Sequence, residues 1–229
     1  LKLVFLEKPA CEDSTDFSEM VAQSESLDVP IIVNMSRRYH SWYQWIKENY
    51  DRNLFGSLLR ADIFYYGGWS HNGVHAVDVV HFLFSEKLTN GHIFESLPGP
   101  TADDPTYTAR FNARNSPAIV WFHGFSEEHY QVFDCDFKFT EGRVQVHNFE
   151  EKLDWKKAEV NALGERILVA KNTDISDANV SPITKATHVI ERYLDNSRKE
   201  YLSGYLLQDT EKTMDVVWEI NGMSNARPK

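Results

Sequence analysis

The sequence holds only two cysteines, Cys11 and Cys135, in 229 residues, and they form no C-x-x-C pair. That excludes a disulfide framework and a zinc-ribbon motif, and it suits a reducing compartment, so a cytoplasmic protein is expected. Basic residues are scarce as well: 24 Lys and Arg stand against 34 Asp and Glu, a formal charge of −10 with no Lys/Arg cluster to offset it locally. A surface of that sign repels phosphate backbones and anionic lipid, so neither nucleic acid nor a membrane surface is an expected partner. No apolar run approaches the roughly 20 residues that span a bilayer, and the start lacks the layout of a signal peptide. There is also no G-x-G-x-x-G, the turn whose helix amino terminus would hold a dinucleotide pyrophosphate. What is present, 42% hydrophobic residues and 13% aromatics, is ample for a packed core of one or two domains.

Residues 1 to 34 read strand, helix, strand: "LKLVFL", an amphipathic stretch from about Ser14 to Ser26 with Ser14 or Thr15 as its cap, then "VPIIVN". This is a βαβ unit, the repeating piece of a doubly wound fold. A helix rich in Trp and Tyr is expected over Tyr39 to Asn49, a strand over 57 to 66, and a helix from about Gly73 to Phe84 after the turn at Gly67 and Gly68. From Gly91 to about Phe149 the texture changes to alternating apolar and polar residues, "TYTARFNAR", "AIVWFHGF", "YQVFDCDFKF" and "RVQVHNF", which read as an antiparallel sheet with one packed face. Two helices, about Ile183 to Asn196 and Thr210 to Asn221, close the chain. The expected fold class is therefore α+β: a partial Rossmann βαβ remnant (residues 1–35), followed by a substrate-binding and oligomerisation domain (36–229) built on a mostly antiparallel, open-faced sheet with helices on one side. Alternating aromatics, Trp121, Phe122, Phe133 and Phe137, are expected to leave apolar area on the open face and to drive assembly into a homo-oligomer.

Chemistry concentrates in two places. In "VFLEKPA" (4–10) a Glu, a Lys and a Pro follow a four-residue apolar run, which puts Glu7, Lys8 and Pro9 at the carboxyl end of a parallel strand, where ligands of open α/β sheets bind. Pro9 fixes φ and donates no hydrogen bond, so the strand stops there and Lys8 is aimed out of it. Taken alone, Lys8 also reads as a solvated strand-end lysine. In "GGWSHNGVHAVDVVHFLF" (67–84), His75 and Asp78 are three apart and share a helix face, with His71 four residues before His75. His75 alone would read as a core histidine, and His81 lies on an apolar helix and reads as structural. Arg37 and Arg38 can reach a substrate or form ion pairs, and Trp42, Tyr43 and Trp45 are most simply packing.

Together "EKP", the "RRY" at 37 to 39 with its following helix and "LFGSLLRADIFYY", and the 67–84 string resemble the Gfo/Idh/MocA oxidoreductases, in order and in spacing. The resemblance is strong over about residues 1 to 85 and weaker in the final helices. It implies an NAD- or NADP-dependent dehydrogenase acting on a sugar, sugar nucleotide or inositol-like substrate. It also implies that the glycine-rich turn belongs before the EKP segment. The chain, which opens without Met directly on a strand, is therefore expected to be a fragment lacking about 100 or more residues of a dinucleotide-binding domain, and inactive when isolated. The family roles of a lysine beside the nicotinamide and a histidine general acid/base map onto Lys8 and His75, with Glu7, Lys8 and Pro9 near the cofactor and Arg38 and Asp78 toward the substrate. The family usually places an acidic residue four before the histidine, completing a catalytic trio. Here that position is His71, which can still hydrogen-bond a sugar hydroxyl.

Two other readings remain open at this level. One is a non-catalytic sugar-binding or oligomerisation module. The other is a metal-dependent hydrolase using His71, His75 and Asp78. Against the second, Asn72 stands where H-E-x-x-H has its glutamate and Gly73 weakens the helix, so no metal site is expected.

Overall fold

A computed structural model gives the fold and describes residues 1–173, 175 and 177–225. β1 (Val4–Leu6), α1 (Ser14–Ser26) and β2 (Ile31–Val33) form the expected βαβ unit, with β1 and β2 paired in parallel as a small sheet of their own. Ile31, Ile32 and Val33 are all buried, as befits a parallel strand covered on both faces. The cap of α1 is Asp13, not Ser14 or Thr15: its carboxylate accepts from the backbone N–H of Thr15 at 2.8 Å and of Asp16 at 3.0 Å.

A 3₁₀ turn at Ser36–Tyr39 and α2 (Ser41–Asp51) lead to β3 (Leu58–Tyr66). A wide π-type turn, Trp69–Gly73, then runs into α3 (Val74–Phe84). Seven strands follow, β4 (Leu88–Leu97), β5 (Thr106–Ala113), β6 (Ile119–Phe125), β7 (Phe133–Phe139), β8 (Gly142–His147), β9 (Lys152–Val160) and β10 (Arg166–Lys171), and the chain ends in α4 (Pro182–Asn196) and α5 (Glu211–Asn225). The large sheet has the order β10-β9-β8-β7-β3-β6-β5-β4, with β3 parallel to β6 and the other neighbours antiparallel. This is the α+β class expected from the sequence.

The strand pattern legible in the sequence stops near Phe149, and β9 and β10 lie beyond it. Lys152, Lys156 and Lys157 break up the alternation of β9, which lies one strand in from the edge strand β10. β4 is masked in a similar way, because Asn90-Gly91 reads as a break but sits within the strand at a register shift.

One face of the sheet carries the core. Ile63, Phe122, Phe133 and Phe137 turn inward and are at most 1% exposed, against α3, which is buried along its length except at Phe82. This corrects the expected open-face aromatics: Phe122, Phe133 and Phe137 point into the core and only Trp121 faces out. The open face instead presents a ladder of rings in which Phe94 lies 4.9 Å from Trp121, Trp121 5.7 Å from His123 and His123 4.6 Å from Phe64. Beside it Asp62 accepts from Arg60, Lys138 and His123, and Asp136 from Arg143.

Arg38 and Asp78, expected at the substrate, are spent on each other. The guanidinium grips the carboxylate through two bonds, Nε to Oδ2 at 2.9 Å and Nη2 to Oδ1 at 2.6 Å, with both side chains at most 3% exposed. Two of the remaining donors go to the carbonyls of Gly204 (2.6 Å) and Asp209 (3.0 Å), and the Thr213 hydroxyl donates to Asp78 at 3.1 Å. One pair thus ties the 3₁₀ turn, α3 and the carboxyl-terminal segment together. Asp78→Ala, which strands Arg38 in the interior, is expected to lower the unfolding free energy by about 3–5 kcal/mol, read by urea denaturation.

His81, on the same helix, carries a second expectation. Burial brings its pKa down from 6.5 to about 4, against the upward pull of Asp78. A group depressed in the fold binds its proton more readily when unfolded, so stability is complete above about pH 6.5 and falls as the pH drops toward 4, by up to about 1.4 kcal/mol per pH unit for one proton. Burial depresses His75 in the same direction and adds to the slope. Unfolding midpoints taken between pH 7 and 5 should follow this line, and His81→Gln should flatten it.

Candidate active site

The site gathers where the carboxyl end of β1 meets the start of α3. Glu7 is fixed by Asn34 at the end of β2, whose amide donates to Oε1 at 2.7 Å. Lys8, next along, donates from Nζ to the main-chain carbonyl of His71 in the π-type turn. The Lys8–Pro9 peptide is cis. Burial lowers the Lys8 pKa, Glu7 and Asp104 pull it back up, and Arg37 acts with burial. A larger fraction of free amine results near neutrality, which suits a group that must hold an oxygen and also pass a proton.

The turn is itself held by a residue the sequence reading did not single out. Asp104, from the loop between β4 and β5, accepts from the backbone N–H of Ser70 at 2.7 Å and of His71 at 2.9 Å. A helix start leaves such N–H groups without intrahelical partners and favours a negative charge there. Gly68 makes the fit possible: its φ of +80° is open to glycine, and a Cβ at this position would come within 2.1 Å of Asp104 Oδ2. Asp104 therefore fixes the turn whose carbonyl fixes Lys8.

His75 is the second residue of α3, 7% exposed, with Nδ1 buried and unpartnered among the described residues. Burial, then the charges of Arg37, Lys8 and His71, hold it well below the ordinary imidazole range, so it is neutral and able to accept a proton at pH 7. The His71 side chain is exposed, and its backbone does the structural work. Of the two arginines in the 3₁₀ turn, Arg37 faces this region. Its Nε pairs with Glu150 at 2.9 Å and its guanidinium lies 3.3 Å over the Phe133 ring. Sequence reasoning named Arg38 here; the structure pairs Arg38 with Asp78 and brings the charge of Arg37 to bear on Lys8 and His75.

A cavity of about 490 Å³ opens beside Pro9 and His71. Ser70, bonded by Asn221 at 3.1 Å, lies in its wall with Met214, Val217 and Trp218 of α5. Among the described residues no three His, Cys, Asp or Glu side chains are grouped to hold a metal ion, and Asp78, one of the ligands the hydrolase reading needs, is bound by Arg38. A nicotinamide dinucleotide fits this chain at one end only. The carboxyl ends of β1 and β2 offer Lys8 and the Asn34 Oδ1, a buried acceptor without a partner, whereas no glycine-rich turn for the pyrophosphate occurs in the sequence. No described helix is long and apolar enough to cross a membrane.

No family model matches the chain. It is 30% identical over 143 residues to inositol 2-dehydrogenase from Rhodococcus jostii (strain RHA1), an alignment covering 57% of this chain and 37% of that relative. The match thus spans little more than a third of the curated relative's length. Among solved structures, a super-repressor mutant of Gal80p from Saccharomyces cerevisiae superposes with a TM-score of 0.76 at 13% identity, covering 98% of this chain and 71% of that one. An oxidoreductase from Agrobacterium radiobacter, in complex with NAD+, L-tartaric acid and magnesium, gives 0.67 at 15% identity, covering 93% and 68%. The βαβ unit, the large mixed sheet and the helix that follows the glycine pair thus match the carboxyl-terminal part of these solved structures, which are of the Gfo/Idh/MocA type that "EKP" and the 67–84 string resemble.

Proposed function

We propose that this chain is the substrate-handling part of an NAD- or NADP-dependent dehydrogenase that oxidises or reduces a hydroxyl-bearing carbon of a sugar- or inositol-like molecule. The observation that supports the reading is that Lys8, at the end of one strand, donates to the His71 carbonyl four residues before His75 at the start of α3, with the charge of Lys8 bearing on His75. The bound nicotinamide supplies the hydride acceptor or donor. Lys8 Nζ holds the reacting oxygen and stabilises its developing negative charge. His75, neutral at pH 7, takes the hydroxyl proton in oxidation and returns it in reduction. Asp104 acts through the His71 backbone to keep Lys8 in place. A non-catalytic sugar-binding module is favoured by one observation, His71 in the usually acidic position, and it would bind sugar without turnover.

In the protein that carries the dinucleotide-binding half, Lys8→Ala and His75→Ala are each expected to lower kcat/KM by a factor of about 10² or more, and Asp104→Ala to lower it less, with steady-state nicotinamide absorbance as the readout. Turnover like that of the wild type in the Lys8 variant would rule the assignment out.

The same reading includes self-association through the open face of the sheet. Phe94 and Trp121 present apolar area there, and Phe94 is 55% exposed. The carboxylates of that face are already paired within it: Asp62 is bonded by the cations Arg60 and Lys138 and by the His123 ring, and is 5% exposed. A mating surface therefore need bring no counter-charge, which suits a second copy of this chain better than a strongly charged partner. Sedimentation at high concentration should give a dimer or tetramer, and Trp121→Glu should shift it to monomer.

A further inference from the structure

We infer that β10 is a self-pairing edge: a second copy of this chain adds its own β10 there as an antiparallel strand centred on Leu168, and this contact joins open-face dimers into a tetramer. The inference rests on the self-association reading above for the open-face dimer. β10 ends the large sheet, and its six residues pair with β9 in one unbroken register. The hairpin turns through residues 161–165, where Gly164 N donates to Asn161 O and Asn161 N to Glu165 O, both at 3.0 Å. In an antiparallel ladder the bonded pairs fall on every second residue. Counted from Glu165, Ile167, Val169 and Lys171 bond to β9, so Arg166, Leu168 and Ala170 turn their backbone N–H and C=O groups to the free side.

Sheet edges are commonly guarded by prolines, bulges or charges. The opposite edge, β4, has such a guard: its register against β5 shifts twice, and Asn90 within it has a φ of +56°. β10 has no register shift, and no proline falls in it or in β9. The charges at its two ends are already answered, Arg166 by Glu141 and Lys171 by Glu159. Between them run Ile167, Leu168, Val169 and Ala170, and Ile167 and Leu168 are exposed, as are Val160 and Leu163 of the same hairpin.

The occupant follows from the register. The pairing that uses all three outward residues puts Leu168 opposite Leu168 of the second copy. It then sets Arg166 opposite Ala170, Ile167 opposite Val169 and Glu165 opposite Lys171. Apolar residues meet apolar residues, no like charges face each other, and the one doubly charged pair is of opposite sign. β10 is thus complementary to itself. A contact of one short strand falls well below the about 1,200 Å² of a stable interface, so it is weak between free copies. An open-face dimer carries two such edges, and two dimers that meet through both gain from the effective concentration that the first contact gives the second.

Sedimentation of this protein at high concentration is expected to give a tetramer, and Leu168→Pro a dimer. The proline removes an outward N–H and no bond to β9, so an unchanged circular dichroism spectrum and thermal midpoint should accompany the loss. Glu165→Lys, which sets like charges opposite each other, should also stop at the dimer, and adding Lys171→Glu should restore the tetramer. In the tetramer the amides of Arg166, Leu168 and Ala170 are expected to exchange at least about tenfold more slowly than in dilute protein, with little change at Ile167 and Val169. A wild type no larger than a dimer overturns the inference, as does a tetramer that survives Leu168→Pro or leaves those three amides unprotected. The open-face reading fails in a different way: if Trp121→Glu leaves an assembly that only the β10 variants take apart, that reading is lost and the pairing of β10 stands.

Discussion

The arrangement turns on one buried ion pair. Arg38 and Asp78 come from elements with no local reason to meet, a 3₁₀ turn and the middle of an apolar helix, and the guanidinium also reaches the carbonyls of Gly204 and Asp209. A buried charge pair is rarely a large net source of stability, because desolvation offsets most of the Coulomb attraction. What it does supply is register. Four of the five N–H donors of the planar fork have a fixed partner, so α3 has little freedom to slide or rotate against the turn. His75 is three residues from Asp78 on that helix, and Arg37 is the neighbour of Arg38 in that turn. Fixing the pair therefore fixes His75 and the cation that helps keep it neutral.

This division of labour explains why adjacent arginines have opposite fates. The tight turn sends successive side chains in different directions, so Arg38 goes into the core to Asp78 and Arg37 goes toward Phe133 and Glu150. Glu150 lies in a run of three residues with positive φ, Asn148, Phe149 and Glu150, and the Trp42 indole donates to its carbonyl at 3.0 Å. Left-handed conformations of non-glycine residues persist only where the surroundings hold them. The aromatic helix, read from the sequence as packing, does hold this loop and through it Arg37.

Features carried by a single run of residues were legible in the sequence. The βαβ unit, the helix after the glycine pair, the terminal helices and the antiparallel texture of the sheet all follow from local periodicity, and "EKP" marks a strand end whatever surrounds it. What could not be read depends on partners far along the chain. Nothing near Asp104 signals that it caps a turn more than thirty residues earlier. Trp121 and Phe122 are adjacent aromatics, so alternation alone cannot say which faces the core. Lysines in β9 and an Asn-Gly within β4 erase the two-residue period where the sheet ends or bends. The choice between Arg37 and Arg38 needed the position of Asp78 in space.

The fold by itself leaves activity open, since the same architecture occurs in an oxidoreductase and in a super-repressor mutant, so the functional argument lies with side chains. The clearest departure from the family pattern is His71, standing where a carboxylate is usual. Yet a carboxylate is present at that residue all the same. Asp104 Oδ2 sits 2.9 Å from the His71 backbone nitrogen, delivered by another loop and admitted by the missing Cβ of Gly68. Its position changes its task. A side-chain carboxylate four residues before His75 on one helix would act on the imidazole directly and raise its affinity for a proton. Asp104 instead acts on the backbone, and through the His71 carbonyl it orients Lys8. His75 is left with burial and the charges of Arg37, Lys8 and His71 acting against its protonation, and among the described residues no acid is bound at Nδ1, which makes it a weaker base than a carboxylate-supported imidazole. On the proposed reading, more of the proton work then passes to Lys8, whose own affinity burial has already reduced.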